Sequence, residues 1–237
     1  MPVSRDILSE AGAERCVSWR ERVARVNIIF HSVSGHTYRM AEELGAGVAQ
    51  VDTCEFKLLR IPEPGGADPI TMPGLTKRYH EFSHVPEATV HDLADCDGLA
   101  IGTPVYWGGM SYATKVFLDS TAKLWDLTAP DKPVQTAPDL AGKPATAFTG
   151  GGSGLTHDPA ILNLWTAFGC FGMSIVTLGI AVPEVSSPTR LDGGSPLGAQ
   201  TFSRRPGPHP SEIEIAIARK QGRALGELTR AWAQRPE

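Results

Sequence analysis

The first residues that could do chemistry lie between an apolar run and a helical pattern. They are His31, Ser32, Val33, Ser34, Gly35, His36 and Thr37. Hydroxyl groups and a glycine at a helix N-terminus favour an anion, because backbone N–H groups converge there and the helix dipole is positive at that end. No lysine follows, which excludes a Walker A loop, and the dinucleotide glycine pattern is absent. Neutral donors alone suit a single phosphate group without magnesium. A Ser- or Thr-capped helix start without any ligand fits the same residues.

Two adjacent aromatic residues mark a second candidate segment. It runs from Gly102 to Met110 and contains Pro104, Val105, Tyr106, Trp107 and Gly108. Aromatic side chains in a loop can stack on a flat ring, and flanking glycines permit close approach of the backbone. Folding of both aromatic rings onto the core is the alternative interpretation.

A glycine-rich run forms the third candidate segment. It consists of Thr149, Gly150, Gly151, Gly152, Ser153, Gly154 and Leu155. Ordering such a flexible run costs conformational entropy, and contact with a ligand is a natural reason to retain it. A mobile surface loop is the alternative interpretation. Taken together, a phosphate at the first segment and a planar ring between the other two predict a pocket for flavin mononucleotide (FMN).

Five short apolar runs must position these segments, and helical patterns alternate with them. The predicted strands are Val26–Phe30, Glu55–Leu59, Gly98–Ile101, Ala145–Phe148 and Ser174–Leu178. This alternation predicts a doubly wound, five-stranded parallel sheet with helices on both faces. Ligands of such sheets bind beyond the carboxyl ends of the strands, where all three candidate segments fall. Residues 183–210 are interpreted as a Pro/Gly-rich excursion, and Ser211 with Glu214 as a capping box that opens the last helix.

Length and composition set further bounds. The chain has 237 residues and a net charge of −4, which argues against a nucleic-acid partner. Residues 1–25 are interpreted as an N-terminal extension and residues 26–237 as one domain.

Four scattered cysteines indicate reduced thiols in a cytoplasmic protein rather than a metal site. The uncharged stretch from Pro159 to Val182 contains polar residues and glycines, so a helix followed by a buried strand is expected there and no membrane span.

On these residues the chain resembles the flavodoxin-like NAD(P)H:quinone oxidoreductases of the WrbA type. The likeness extends from about Val26 to Ala231. Two of its motifs are fairly specific, because ordinary flavodoxins lack them. They are Gly-Ser-Pro-Leu-Gly-Ala at 194–199 and Ile-Ala-Arg-Lys-Gln-Gly at 217–222. The resemblance implies FMN as cofactor, two-electron reduction of quinones by NAD(P)H, and a homotetramer.

Site residues follow from the same resemblance by position. Ser32–Thr37 would hold the FMN phosphate. Val105, Tyr106 and Trp107 would border the ring and the ribityl chain, and Gly150–Leu155 would lie on the other side. Trp125 and Trp107 are expected at the substrate pocket.

The chain departs from the family pattern at several of these places. Ser34 replaces a frequent tyrosine, and Tyr106-Trp107-Gly108-Gly109 replaces Arg-Phe-Gly-Asn. The third segment ends in Leu155-Thr156-His157-Asp158 where Gly-Gly-Gln is usual. Cys170 stands where relatives carry a histidine that approaches the flavin, so it is expected beside the cofactor.

The sequence therefore predicts an FMN-dependent NAD(P)H:quinone oxidoreductase that works by a ping-pong mechanism. The cofactor supplies the chemistry, and no side chain is assigned as a catalytic acid or base. A flavodoxin-like electron carrier is one alternative. A flavodoxin-fold interaction protein that has lost FMN is another.

Overall fold

The structure, a computed structural model, describes residues 22–66, 81–124, 140–152, 156–180, 182–185, 193–203 and 210–235. Its strands are β1 (Ala24–Phe30), β2 (Cys54–Arg60), β3 (Gly98–Tyr106), β4 (Gly109–Met110), β5 (Pro144–Gly151), β6 (Ser174–Ile175), β7 (Gly194–Ser195) and β8 (Gly198–Phe202). Its helices are α1 (His36–Val48), α2 (His91–Ala94), α3 (Tyr112–Asp119), α4 (His157–Cys170) and α5 (Glu212–Ala233), with short 3₁₀ turns at Pro64–Gly66 and Ser120–Leu124.

The main strands form a parallel sheet in the order β2-β1-β3-β5-β8. One apolar cluster packs α1 and α5 against one face, and a second packs α3 and α4 against the other. Strands enclosed on both faces are buried over most of their length, and this burial explains the continuous apolar runs in β1 and β3. The predicted doubly wound sheet is confirmed. Strand β1 begins two residues before the predicted domain boundary at Val26.

The fifth position of the sheet differs from the prediction, because two short strands share it. Strand β6 pairs with the start of β5, and β8 pairs with its end. The predicted strand Ser174–Leu178 is present but shorter than predicted, since only Ser174–Ile175 pairs, and its predicted burial is wrong, because both residues are exposed. Strand β8 lies inside the predicted excursion 183–210 and is fully buried. Its sequence, Gly-Ala-Gln-Thr-Phe, carries two polar residues, so hydrophobic periodicity does not detect it.

The two motifs shared with the WrbA-type family, at 194–199 and 217–222, hold this part of the sheet together. The Gln221 amide donates to Thr146 Oγ1 at 2.6 Å and to the Ala147 carbonyl at 2.8 Å, and its oxygen accepts from the Ala199 N–H at 2.7 Å. Gln221 thus joins α5 to β5 and β8. Next to it, a Cβ on Gly222 would lie 1.9 Å from the Leu44 carbonyl oxygen, so glycine is required where α5 crosses α1.

The predicted capping box at the start of α5 is confirmed. Ser211 Oγ accepts from the Glu214 N–H, and the Glu214 carboxylate accepts from the Ser211 N–H at 2.8 Å. The same buried carboxylate accepts from the Thr201 hydroxyl and from the Phe202 N–H. The cap therefore also fixes the end of β8.

The uncharged stretch 159–182 is divided by a turn. Helix α4 is followed by Gly172 at φ +71° and then by the short strand β6. Among the helices that the structure describes, none combines the length and the apolarity needed to cross a bilayer.

Candidate functional site

The three candidate segments meet at one edge of the sheet. Strands β1, β3 and β5 are parallel neighbours, so their carboxyl ends lie side by side. The His31 N–H donates to the Gly102 carbonyl at 3.0 Å. A Cβ on Gly150 would lie 2.9 Å from Thr37 Oγ1, so the glycine-rich segment touches the first segment. The structure therefore brings the described parts of the three candidate segments together at one edge.

The N-terminus of α1 is open for an anion. Gly35 is the residue directly before α1. It adopts φ +81°, in the left-handed region, and contributes no side-chain hydrogen bond that would cap the helix. Ser32 Oγ accepts only the Tyr38 N–H, at 3.3 Å. Within the described part of the chain, the N–H groups of Ser34, Gly35 and Thr37 donate to no protein acceptor. Converging N–H groups at a helix N-terminus form a phosphate site.

A tight hairpin presents the two aromatic residues of the second segment. Strand β4 pairs with the end of β3, and Trp107 and Gly108 form the two-residue turn with φ +54° and +79°. Such a turn requires positive φ at both positions. The Trp107 side chain is fully exposed at 104%, and Tyr106 is exposed at 39%. The alternative, that both aromatic rings fold onto the core, is therefore wrong for this chain.

Trp107 is also strained. A bulky residue rarely adopts positive φ, and holding it there costs on the order of 1–3 kcal/mol. A strained, exposed tryptophan at the edge of a site is typical of a residue that contacts a ligand or a partner.

The described part of the third segment is packed rather than loose. A Cβ on Gly151 would lie 2.9 Å from His157 Nε2 and 3.4 Å from the Val105 side chain. Glycines are thus needed at Gly150 and Gly151 because other groups approach the backbone closely. Gly152 follows as a bend, and the predicted residues Ser153, Gly154 and Leu155 lie outside the described residues.

His157 is a residue of this site that sequence reasoning registered only as a departure from a family pattern. It is fully buried at the start of α4, and its Nδ1 lies 2.8 Å from Thr149 Oγ1. Its ring meets Phe202 edge to face at 4.8 Å. His157 therefore ties α4 to the ends of β5 and β8. Its place directly after a glycine-rich run is the signal that could have found it.

A buried polar cluster lies at the same edge, and sequence reasoning missed it. We call it the Glu63 cluster: His31, Glu63, Ser111 and Tyr112. His31 Nε2 lies 2.8 Å from Glu63 Oε1, and His31 Nδ1 lies 2.8 Å from Ser111 Oγ. The Tyr112 hydroxyl donates to Glu63 Oε2 at 2.8 Å. His31 and Glu63 each come shortly after a strand, yet their 32-residue separation hides the pairing.

The surroundings of Glu63 hold it in the ionised form. Burial alone would raise its pKa, but the hydrogen bond and charge of His31 and the Tyr112 hydroxyl outweigh burial and lower the pKa below 4.5. The same hydrogen bond raises the pKa of Tyr112. Burial, with the charge of Glu63, raises the pKa of Tyr106 as well.

This lowered pKa predicts a loss of stability in acid. A carboxyl group whose pKa is lower in the folded than in the unfolded state stabilises the fold above the ordinary pKa, and that contribution is lost as the pH falls through the folded pKa. We expect the stability difference between the wild type and Glu63→Gln to shrink as the pH falls from neutral to below 4.5. Urea unfolding of both proteins across this range measures it, and a constant difference would contradict the assignment.

One predicted site residue, Cys170, is not brought to this edge, and another, Trp125, lies outside the described residues. Cys170 is exposed at the far end of α4, about 20 Å along the helix from His157 at 1.5 Å per residue. There it lines a groove of about 360 Å³ between α3 and α4, together with Met110.

The other described thiols are structural. Burial raises the pKa of Cys54 and of Cys96 to about 11, so both remain protonated at neutral pH. Across the described ranges, no group of three or more His, Cys, Asp or Glu side chains is arranged to hold a metal ion.

Comparison with known proteins places this chain among flavin enzymes. Residues 25–184 match the model of a family described as NADPH-dependent FMN reductase. A protein of Syntrophobacter fumaroxidans named NAD(P)H dehydrogenase (quinone) is 36% identical over 210 residues, covering 87% of this chain and 97% of that protein.

Solved structures support the fold. The WrbA-like flavodoxin of Agrobacterium tumefaciens aligns with a TM-score of 0.55 at 21% identity, covering 88% of this chain and 98% of that one. A flavodoxin from the domain Archaea aligns with a TM-score of 0.52 at 14% identity, covering 86% and 98%. At these identities the similarity concerns the fold alone, and it confirms the flavodoxin-like class.

Proposed function

The chain belongs to the NADPH-dependent FMN reductase family, and from that membership we propose that it is an FMN-dependent NAD(P)H:quinone oxidoreductase. The family establishes a flavin oxidoreductase that uses FMN with NAD(P)H as electron donor. Quinone as the acceptor is supported by the name of the Syntrophobacter fumaroxidans relative.

The observation that carries the proposal is the open N-terminus of α1. Its N–H donors are neutral, and Gly35 leaves the backbone accessible, so the site fits one phosphate group. Ser32–Thr37 would hold the FMN phosphate. When bound, FMN supplies two-electron transfer between donor and acceptor.

The remaining site residues would shape the place of the ring. Val105, Tyr106 and Trp107 border it from the hairpin, and Gly150–Gly152 border it from the third segment. Gly151 lies beside Val105 because β3 and β5 are adjacent strands, so the two segments are neighbours at the same edge of the sheet. Aromatic walls favour flat apolar molecules, so Trp107 would contact the quinone.

Donor and acceptor would occupy this place in turn, which is a ping-pong mechanism. Initial rates measured over a grid of NADPH and benzoquinone concentrations test it. Parallel lines in the double-reciprocal plot are expected. Intersecting lines would contradict it, and an absence of any benzoquinone-dependent NAD(P)H oxidation would overturn the proposed function.

We also propose that the chain works in the cytoplasm as a homotetramer whose neighbours complete each flavin pocket. Tyr106, Trp107 and Tyr112 are exposed beside the site, and exposed aromatic clusters favour association. Cys170 lies at the opposite end of α4 from His157, so its expected role beside the cofactor would require a neighbouring chain. Light scattering at micromolar concentration should give a tetrameric mass, and a monomeric mass would contradict this.

A further inference from the structure

The hairpin that carries Trp107 is anchored at one place by two consecutive residues. Ser111 and Tyr112 directly follow β4, and both are members of the Glu63 cluster. Tyr112 binds Glu63 through its hydroxyl, and Ser111 reaches Glu63 through the imidazole of His31. Both links leave the hairpin within two residues of its last paired position, Met110.

The carboxylate at the centre of this cluster is costly for the fold. The Glu63 and His31 side chains are 5% and 2% exposed, and burying such groups is unfavourable unless every partner is in place. Apolar side chains of similar volume would fill the same space without that cost. The proposed reaction uses neither side chain as an acid or a base. A second role is therefore needed to explain the cluster.

Holding the strained Trp107 in its conformation is such a role. A residue held at positive φ relaxes unless its surroundings fix it, and one side of the turn is fixed by β3 in the centre of the sheet. The other side runs through the two residues of β4 into Ser111 and Tyr112. The Glu63 cluster, together with the Thr103 hydroxyl that accepts from the Ser111 N–H at 2.9 Å, thus holds the side of the strained turn that leads into α3.

We propose that Glu63 is a positioning residue of the acceptor site, which acts through Tyr112 and His31 to hold the hairpin that presents Trp107. The inference rests on the proposed function, because it assigns Trp107 to the quinone. In this proposal Glu63 acts without contacting the cofactor or the acceptor. Loss of an anchor should therefore weaken acceptor binding while leaving the phosphate site intact.

The test uses Tyr112→Phe, which removes one hydroxyl from a half-exposed side chain. Val116→Ala is the matched control, because Val116 lies one turn further along α3 and is also 47% exposed. We expect Tyr112→Phe to raise the KM for benzoquinone about threefold or more, with kcat and the Kd for FMN changed less than twofold. Val116→Ala should change none of these values. An unchanged KM in Tyr112→Phe would overturn the inference.

A double-mutant cycle separates positioning from general weakening of the fold. If the Glu63 cluster acts through Trp107, Tyr112→Phe should have no further effect on KM in a Trp107→Ala background. An equal effect in both backgrounds would overturn the inference.

Amide hydrogen exchange of the FMN-free protein gives a readout that is independent of activity. Peptides covering residues 105–110 should exchange faster in Tyr112→Phe than in the wild type, and those covering α1 should not. Equal exchange in the hairpin would overturn the inference. A wild type that binds FMN but does not reduce benzoquinone would overturn the proposed function instead, whatever the exchange result.

Discussion

Replacement of Gly35 with leucine should abolish tight FMN binding. Leucine at φ +81° is strained by roughly 1–2 kcal/mol. Relaxation would turn N–H donors away from the phosphate, and each hydrogen bond to a charged group is worth about 1.5–3 kcal/mol. Together these costs correspond to a Kd increase of about 100-fold or more. Fluorescence titration of the FMN-free protein with FMN measures it.

Gly179→Leu is the matched control for this experiment. Gly179 has a similar φ of +73° and open space around it, but it lies in the segment after β6, away from the three loops. The control should show the same local strain and keep the wild-type affinity for FMN. If Gly35→Leu binds FMN within threefold of the wild type, the phosphate site is not at the N-terminus of α1.

Gly222→Ala should strongly destabilise the fold. The new Cβ would lie 1.9 Å from the Leu44 carbonyl oxygen, and backbone cannot move aside as a side chain does. Helices α1 and α5 must separate, so we expect a loss of about 3 kcal/mol or more, at the upper end for overpacking. Urea unfolding at neutral pH gives the value.

Gly169→Ala provides the opposite result in the same assay. Gly169 lies within α4, with nothing within 4 Å of a Cβ. Alanine there should stabilise the protein by about 0.5–1 kcal/mol, because glycine loses more backbone entropy in a helix. Equal stabilities of Gly222→Ala and the wild type would contradict the close helix packing.

The sequence was informative where local pattern decides the structure. The apolar runs Val26–Phe30 and Gly98–Ile101 are short and fully buried, and their alternation with helical patterns predicts the parallel sheet and its carboxyl edge. The candidate loops follow directly from that edge. Ser211 and Glu214 likewise predict the start of α5, because the capping box is a local interaction.

The sequence was uninformative where distant residues share one interaction. Strand β8 is stabilised by hydrogen bonds to the side chains of Gln221 and Glu214, which lie on the last helix. Its own sequence is partly polar, so a search for apolar runs does not identify it as a strand. The Glu63 cluster depends on partners that lie 32 and 49 residues from Glu63. The strain at Trp107 follows from a turn geometry that usually selects asparagine or glycine.

Anaerobic titration of the FMN-soaked, gel-filtered wild-type protein tests the proposed function most directly. The protein should be yellow, one equivalent of NAD(P)H should bleach the flavin absorbance, and one equivalent of benzoquinone should restore it. A protein that stays colourless after soaking, or a flavin band that NAD(P)H does not bleach, would contradict the account.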